Sequence, residues 1–141
     1  MTRINLISPK ELSDQNLLAE YRELPRCIKG TYKMNDAPER YTLGRGHVKW
    51  AAKYPGFLID RYDLLLSELH FRGFKINYNL AMLLACAYNK NLDLTLNYDP
   101  NYRDIFISRQ RIIEKYKENP SVHTWTKRNK PPYLGDENEN Y

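Results

Sequence analysis

The residues best able to do chemistry in this chain lie between positions 15 and 26. On a helix of about 3.6 residues per turn, Gln15, Arg22 and Arg26 share one flank because they are seven and four residues apart. Glu23 lies beside them and could stabilise positive charge or move a proton, while the arginines could bind phosphate groups. Most charged helix faces are merely solvated, so the spacing by itself leaves both interpretations open.

Positive charge is concentrated in the C-terminal part of the sequence. The chain carries 22 Lys and Arg against 17 Asp and Glu, a formal net charge of +5. Residues 103–130 hold eight basic residues against three acids: Arg103, Arg109, Arg111, Lys115, Lys117, Lys127, Arg128 and Lys130 against Asp104, Glu114 and Glu118. A localised excess of this kind is what a phosphate-binding face requires.

No signature of metal or nucleotide chemistry is present in the sequence. The chain lacks HExxH, a Walker A loop, GxSxG and any Cys/His cluster at zinc spacing, so we expect neither a metal ion nor another cofactor. The two cysteines, Cys27 and Cys86, form no CxxC motif, which indicates free thiols in a reducing compartment. We expect Cys27 to be a small buried thiol rather than a nucleophile.

Several short motifs occur at fixed distances from the N-terminus and continue along the chain. They are Met1-Thr-Arg-Ile-Asn-Leu6, Asp14-Gln15, Ala19-Glu-Tyr-Arg-Glu-Leu-Pro-Arg26, Gly46-His-Val48, Arg72-Gly-Phe74, Ile107-Ser108, Arg111, Glu114-Lys115 and Trp125. With these motifs the sequence resembles the phage endonuclease V type of pyrimidine-dimer DNA glycosylase. The resemblance implies an all-α protein that excises cyclobutane pyrimidine dimers from double-stranded DNA and then nicks the strand.

The resemblance also implies which residues act. Thr2 would be the nucleophile, through its α-amino group once Met1 is removed, and Glu23 would be the essential carboxylate. The residues implied to hold the DNA are Arg3, Gln15, Arg22, Arg26, His47, Arg111, Lys115 and Trp125. For His47, general experience favours a histidine whose ring nitrogens are hydrogen-bonded within its own loop. His70 and His123 have no nearby sequence pattern that suggests a catalytic or binding partner, so they are expected to be structural.

The implied chemistry suits these groups. An α-amino group has an ordinary pKa of about 8, well below that of a lysine side chain, so a useful fraction is neutral and nucleophilic near neutral pH. Attack on the anomeric carbon would leave an imine between Thr2 and the opened sugar, and this imine permits β-elimination. Glu23 would stabilise the positive charge that develops on the sugar.

Three features differ from the phage type and keep alternatives open. Asn16 stands where the phage type has His, the join between the second and third helices differs, and the aromatic tail is reduced to Trp125 followed by Thr126. A glycosylase/lyase for other damaged bases and a non-catalytic DNA-binding module are the alternative functions.

Three main amphipathic helices with long irregular connections are predicted to position these residues. The first helix follows a cap at Ser13 or Asp14, and its predicted buried residues are Leu17, Tyr21, Leu24 and Ile28. The second helix runs from Pro55 to a stop at Gly73-Phe74, and its predicted buried residues are Leu58, Tyr62, Leu65 and Leu69. The third helix runs from Asp99-Pro100 to about Lys117, and its predicted inward residues are Ile105, Ile112 and Tyr116. A short turn is expected at Ser8-Pro9-Lys10-Glu11. Residues 80–88 fit a short helix and residues 92–96 alternate like an extended segment, which leaves residues 76–98 open.

Length and composition suit one compact domain. At 141 residues with 42% hydrophobic residues, the chain is expected to form a single domain over residues 1–141, with residues from about 131 to 141 as a flexible tail. No apolar run approaches a membrane span and no secretory signal is evident, so we expect a soluble, intracellular monomer that does not contact membranes.

Overall fold

The computed structural model describes residues 3–135, and these residues form helices joined by turns and coil, with no β-strand among them. The α-helices are α1 (Asp14–Lys29), α2 (His47–Ala52), α3 (Pro55–Arg72), α4 (Leu80–Asn89) and α5 (Tyr102–Glu118). Short 3-10 turns lie at Pro9–Glu11, Pro120–Val122 and Pro132–Leu134. The all-α prediction is therefore confirmed, whereas three main helices are too few for the described part of the chain.

The two extra helices are short, which explains why periodicity did not separate them. Helix α2 has six residues and begins after Gly46, whose φ of 91° lies in the left-handed region that favours glycine. Helix α4 begins after Asn79, whose side chain accepts a hydrogen bond from the Met82 amide, and this decides the open segment in favour of a helix at 80–89. Residues 92–96 form a turn rather than an extended strand.

Helix α3 is the centre of the core. Its residues Leu58, Tyr62, Leu65 and Leu69 are all fully buried, as their spacing predicts. It ends at Gly73, with a φ of 87°, where the amide of Phe74 bonds back to the carbonyl of Leu69 in a Schellman arrangement. Helix α1 packs against α3, α4 and α2, which fixes the direction of its polar face.

Two buried arginines of α3 hold the N-terminus and the middle of α1 in place. Arg61 forms a two-pronged ion pair with Glu20, with nitrogen–oxygen distances of 2.8 and 2.9 Å. Arg72 binds Asp14 at 2.9 Å and Glu68 at 2.8 Å. Buried charges are tolerated only when they are paired in this way, so the two networks fix where α1 lies relative to α3.

The segment after α5 folds back over the N-terminus of α1. The amide of Asp14 donates to the carbonyl of Thr124 at 2.7 Å, and the Asp14 carboxylate accepts from the hydroxyls of Thr124 and Thr126, both at 2.7 Å. Residues 131–135, which were assigned to a flexible tail, contain a turn whose Leu134 is buried beside α5. The remainder of that tail lies outside the described residues.

No helix within residues 3–135 has both the length and the apolar character that crossing a membrane demands.

Candidate active site

A cleft of about 470 Å³ lies between the N-terminal segment, α1, α5 and the segment after α5. Helix α1 contributes Asn16, Ala19, Glu20 and Glu23, which follow one another on one face at spacings of three, one and three. Helix α5 contributes Arg111, Ile112, Lys115 and Glu118. The remaining walls come from Arg3, Asn5, Asn119, Val122 and His123. We call this space the cleft.

The N-terminal segment is held against Glu23. The backbone amide of Arg3 donates a hydrogen bond to Oε2 of Glu23 over 3.2 Å. The next amide, that of Ile4, donates to Nε2 of His47 over 2.8 Å, and the Ile4 carbonyl accepts from the hydroxyl of Tyr41 over 2.7 Å. Because successive backbone groups are bound on different elements, Arg3 and Ile4 are fixed in place beside Glu23.

His47 serves the fold with both ring nitrogens. Its Nδ1 donates to the carbonyl of Thr42 over 2.7 Å while Nε2 accepts from Ile4, and only 2% of its surface is exposed. Burial lowers the pKa of His47 to about 4, so the ring is neutral near pH 7 and keeps the acceptor that Ile4 needs. The predicted DNA contact would have to compete with both bonds, because the ring is satisfied by Thr42 of its own loop together with Ile4 of the N-terminal segment.

A buried network forms the floor of the cleft. Asn5 is only 3% exposed, and its Nδ2 donates to Oε1 of Glu20 over 2.8 Å. Glu20 is in turn held by Arg61, which also donates to the carbonyl of Ile7 over 2.6 Å. Glu20 is therefore committed to the fold, whereas Glu23, one turn further along α1, lines the cleft and accepts from the Arg3 amide.

The cationic wall of the cleft combines Arg3, Arg111 and Lys115. Burial, and then the positive charge of Arg111, lower the pKa of Arg3, which means that the two guanidinium groups lie close enough to repel each other. The Nε of Arg111 is buried and has no hydrogen-bond partner among the residues described. An anion placed between these groups would relieve the repulsion and supply the missing acceptor.

A comparison with known protein families identifies the chain. A family model described as pyrimidine dimer DNA glycosylase matches residues 1–82, more than half of the 141 residues. The chain belongs to this family. Membership implies a DNA glycosylase that acts on pyrimidine dimers, and the match covers the N-terminal segment and α1, which carry Arg3 and Glu23.

Two of the predicted DNA-binding residues of the glycosylase lie beside the cleft rather than in it. Arg22 and Arg26 are exposed on the flank of α1 that also carries Ala19, a residue of the cleft wall. At about 100° of rotation per residue, this flank is next to the face that bears Glu23. The two arginines therefore extend the positive surface along the rim of the cleft.

Gln15 and Trp125 are engaged with the protein in the described structure. Gln15 accepts from the amide of Thr124 at 3.0 Å and donates to its hydroxyl at 3.1 Å. The indole nitrogen of Trp125 donates to the carbonyl of Glu11 over 3.0 Å, and the half-buried ring packs beside Tyr116 with centroids 6.0 Å apart. Both residues help to hold the segment after α5; their contacts with DNA remain predictions.

The predicted nucleophile, Thr2, lies outside the described residues. Cys27, the rival nucleophile, is 3% exposed, and burial raises the pKa of its thiol to about 12, which confirms an inert buried cysteine. Within residues 3–135, no group of three or more His, Cys, Asp and Glu side chains is arranged to hold a metal ion.

Sequence reasoning missed several residues of the cleft. Asn16 and Glu20 could have been found, because they precede Glu23 by seven and three positions and so share its helix face. Asn5 could not have been identified as a cleft residue, because nothing in the local sequence shows that its side chain reaches Glu20, fifteen residues away. His123 was expected to be structural, and only the return of the chain after α5 brings it to the cleft.

Proposed function

We propose that this glycosylase excises the 5′ base of a cyclobutane pyrimidine dimer through an imine to the Thr2 amine and then cleaves the strand by β-elimination. It would act as a monomer. It would need no metal or other cofactor, because the terminal amine supplies the nucleophile. The proposal extends the family assignment in two respects: the covalent intermediate and the lyase step.

The hydrogen bond from the Arg3 amide to Glu23 is the observation that carries the proposal. One peptide bond joins Thr2 to Arg3, so the nitrogen of Thr2 can be no more than about 3.6 Å from the nitrogen of Arg3. An amine on this short tether has Glu23 within reach, and Arg3, Arg111 and Lys115 line the same cleft. Removal of Met1 would convert the Thr2 nitrogen from an amide into a free amine.

The first reaction step exchanges a base for the amine. The neutral Thr2 nitrogen attacks C1′ of the 5′ nucleotide, the bond between C1′ and the base breaks, and its electron pair leaves with the base. Opening of the sugar ring then expels O4′, which takes up a proton, and leaves a protonated imine between C1′ and the nitrogen. Glu23 stabilises the positive charge that grows on the sugar during this step.

The second step uses the imine as an electron sink. The protonated imine acidifies the proton on C2′, a base removes it, and the electron pair expels the 3′ phosphate. Glu23 is the side chain of the cleft best suited to accept this proton, since its neighbour Glu20 is committed to Arg61. Hydrolysis of the remaining imine frees the enzyme.

Positive side chains would hold the damaged strand. Arg3, Arg111 and Lys115 line the cleft, and Arg22 and Arg26 continue along its rim. Contacts of this kind recognise the backbone rather than base sequence, so the enzyme would select dimers by the ease with which the damaged duplex kinks. Extrusion of a nucleotide would then open access to C1′.

Borohydride trapping tests the proposal directly. A duplex with one dimer, mixed with enzyme and borohydride, should yield a covalent adduct that peptide mapping assigns to residue 2. Enzyme whose α-amine has been acetylated selectively at neutral pH should form no adduct and should leave the strand intact, and excess chelator should not reduce incision. An adduct on a lysine would contradict the assignment of Thr2.

The same experiment distinguishes the two alternative functions. Binding without any adduct or incision would indicate a non-catalytic DNA-binding module. Incision of other lesions in preference to dimers would indicate a glycosylase/lyase for other damaged bases.

A further inference from the structure

His123 lies in the wall of the cleft but outside the residues that the family model matches. It follows the short turn Pro120–Val122, and its half-buried ring packs near Tyr116 and Trp125, with centroids 5.8 and 6.5 Å away. Its Nδ1 is 3.0 Å from the hydroxyl oxygen of Ser13. Within residues 3–135, Nε2 has no hydrogen-bond partner.

The hydrogen bonds of Ser13 decide which ring nitrogen carries the proton. Ser13 is fully buried, and its oxygen already accepts the amide proton of Asn16 over 3.2 Å as the cap of α1. Its own hydroxyl proton needs an acceptor because buried donors are rarely left unpaired, and Nδ1 of His123 is the acceptor within reach. The neutral ring then carries its proton on Nε2.

The segment that carries His123 is held firmly. The neighbouring Thr124 and Thr126 donate to the buried carboxylate of Asp14, and Trp125 donates to the carbonyl of Glu11. Such anchoring fixes the ring in advance, so a ligand in the cleft would meet a donor that costs little entropy to orient.

We propose that His123 is a DNA-contacting residue that donates from Nε2 to a non-bridging phosphate oxygen of the strand in the cleft. Ser13 is its positioning residue, because it sets the tautomer and the angle of the ring. Phosphate is the expected acceptor since Arg3, Arg111 and Lys115 line the same cleft and attract an anion to it. The inference rests on the proposed function for the identity of the DNA, and it gives His123 a role in addition to the expected structural one.

Affinity for dimer-containing duplex tests the contact, measured in a Glu23→Gln background to prevent incision. His123→Phe keeps an aromatic ring beside Tyr116 and Trp125 but removes the donor, and should weaken binding on the order of tenfold. His123→Gln places an amide N–H near the position of Nε2 and should retain part of the lost affinity. The matched control is His70→Phe, on the exposed end of α3 and outside the cleft wall, which should bind like the parent.

Neutral phosphates locate the contact. Methylphosphonate replaces one charged oxygen with a methyl group, and duplexes carrying it at each phosphate around the dimer should reveal one position at which the parent loses affinity and His123→Phe loses none. The inference is overturned when His123→Phe binds as tightly as the parent, or when it shows the same sensitivity as the parent at every phosphate. Thermal unfolding of each variant verifies that the fold is kept.

The outcome separates this inference from the proposed function. If the protein with Glu23 intact incises dimer duplexes while His123→Phe loses nothing in affinity or sensitivity, only the contact is wrong. If that protein neither incises nor forms a borohydride adduct, the proposed function fails, whatever the variants of His123 show.

Discussion

The backbone amide of Arg3 donates a hydrogen bond to the carboxylate of Glu23 over 3.2 Å, across twenty residues of sequence. This contact links the backbone at Arg3 to the helix face that also carries Asn16, Ala19 and Glu20. It makes Glu23 an anchor for the backbone at Arg3, and the proposed mechanism also gives Glu23 a role beside the Thr2 amine. Substitutions at Glu23 therefore have to be chosen so that these two roles are separated.

Glu23→Gln should retain binding and lose excision. The amide side chain keeps an oxygen that can accept from Arg3, so the terminal segment should stay in place, but the negative charge that stabilises the developing cation is gone. We expect excision to fall by at least about 100-fold, measured in single-turnover reactions as the free pyrimidine that appears after photoreversal of the dimer. Glu20→Gln is unsuitable as a control because Glu20 holds Arg61, so Glu118→Gln at the exposed edge of the cleft is preferred. Excision by Glu23→Gln equal to that of the parent would remove Glu23 from the mechanism.

Arg111→Ala should reduce the salt dependence of DNA binding. A lysine or arginine that neutralises one phosphate contributes about 0.9 to the slope of log affinity against log salt concentration. The variant should therefore have a shallower slope by roughly that amount, and its deficit should be largest at low salt. Lys117→Ala removes the same charge from an exposed position of α5 outside the cleft wall and should change the slope less. Equal slopes for the Arg111 variant and the parent, from titrations at several salt concentrations, would argue against a phosphate contact.

His47 should make stability depend on pH in the acidic range. Burial lowers its pKa to about 4, against an ordinary value of about 6.5, so the unfolded chain binds the proton more readily than the folded one. Stability from this group is fully present above about pH 6.5 and is lost as the pH falls towards 4, by roughly 3 kcal/mol at most.

Urea unfolding at a series of pH values measures this effect. His47→Gln keeps an oxygen for the Ile4 amide but cannot titrate, and its free energy of unfolding should vary less between pH 6.5 and 4 than that of the parent. Because carboxylates titrate in both proteins, the difference between the two curves isolates the histidine. Parallel curves would contradict the buried neutral ring.

Arg72→Met should strongly destabilise the protein. Arg72 is completely buried at its side chain and neutralises Asp14 and Glu68, while it also donates to the carbonyl of Leu12 over 2.8 Å. Its removal leaves buried carboxylates short of a partner, a change that typically costs about 3–5 kcal/mol. Arg103→Met, at an exposed position of α5, should cost less than about 1 kcal/mol in the same denaturation experiment. Similar midpoints for both variants would show that the buried pairs contribute little.

The two cysteines should differ in reactivity. Cys27 is buried and its raised pKa keeps it protonated, whereas Cys86 is partly exposed on α4. A thiol reagent should modify Cys86 first in the native protein and both residues in denaturant, as followed by peptide mass. Incision activity should be retained after the native protein has been modified. Complete loss of incision after selective labelling of Cys27 would indicate that this thiol is the nucleophile.

The three long helices could be predicted because each carries its own signals. The buried stripe of α3 and its Gly73 stop, and the stripe of α1 from Leu17 to Ile28, are local patterns that tertiary packing did not override. Helix α2 was missed because six residues are too few to show a period. The folding of Leu134 onto α5 was missed because a polar, proline-rich segment gives no local sign of what it packs against.

By itself, the sequence determined that Gln15, Arg22 and Arg26 share a helix flank beside Glu23, because 3.6 residues per turn places them there in any fold that keeps α1 helical. Its motifs also pointed to the family that the comparison identifies. Only the tertiary structure decided that Arg3 meets Glu23, that Ile4 meets His47 and that His123 meets Ser13, since these pairs are separated by 20, 43 and 110 residues. Contacts over such distances depend on how the buried faces of the helices pack together, and no local pattern of residues encodes that packing.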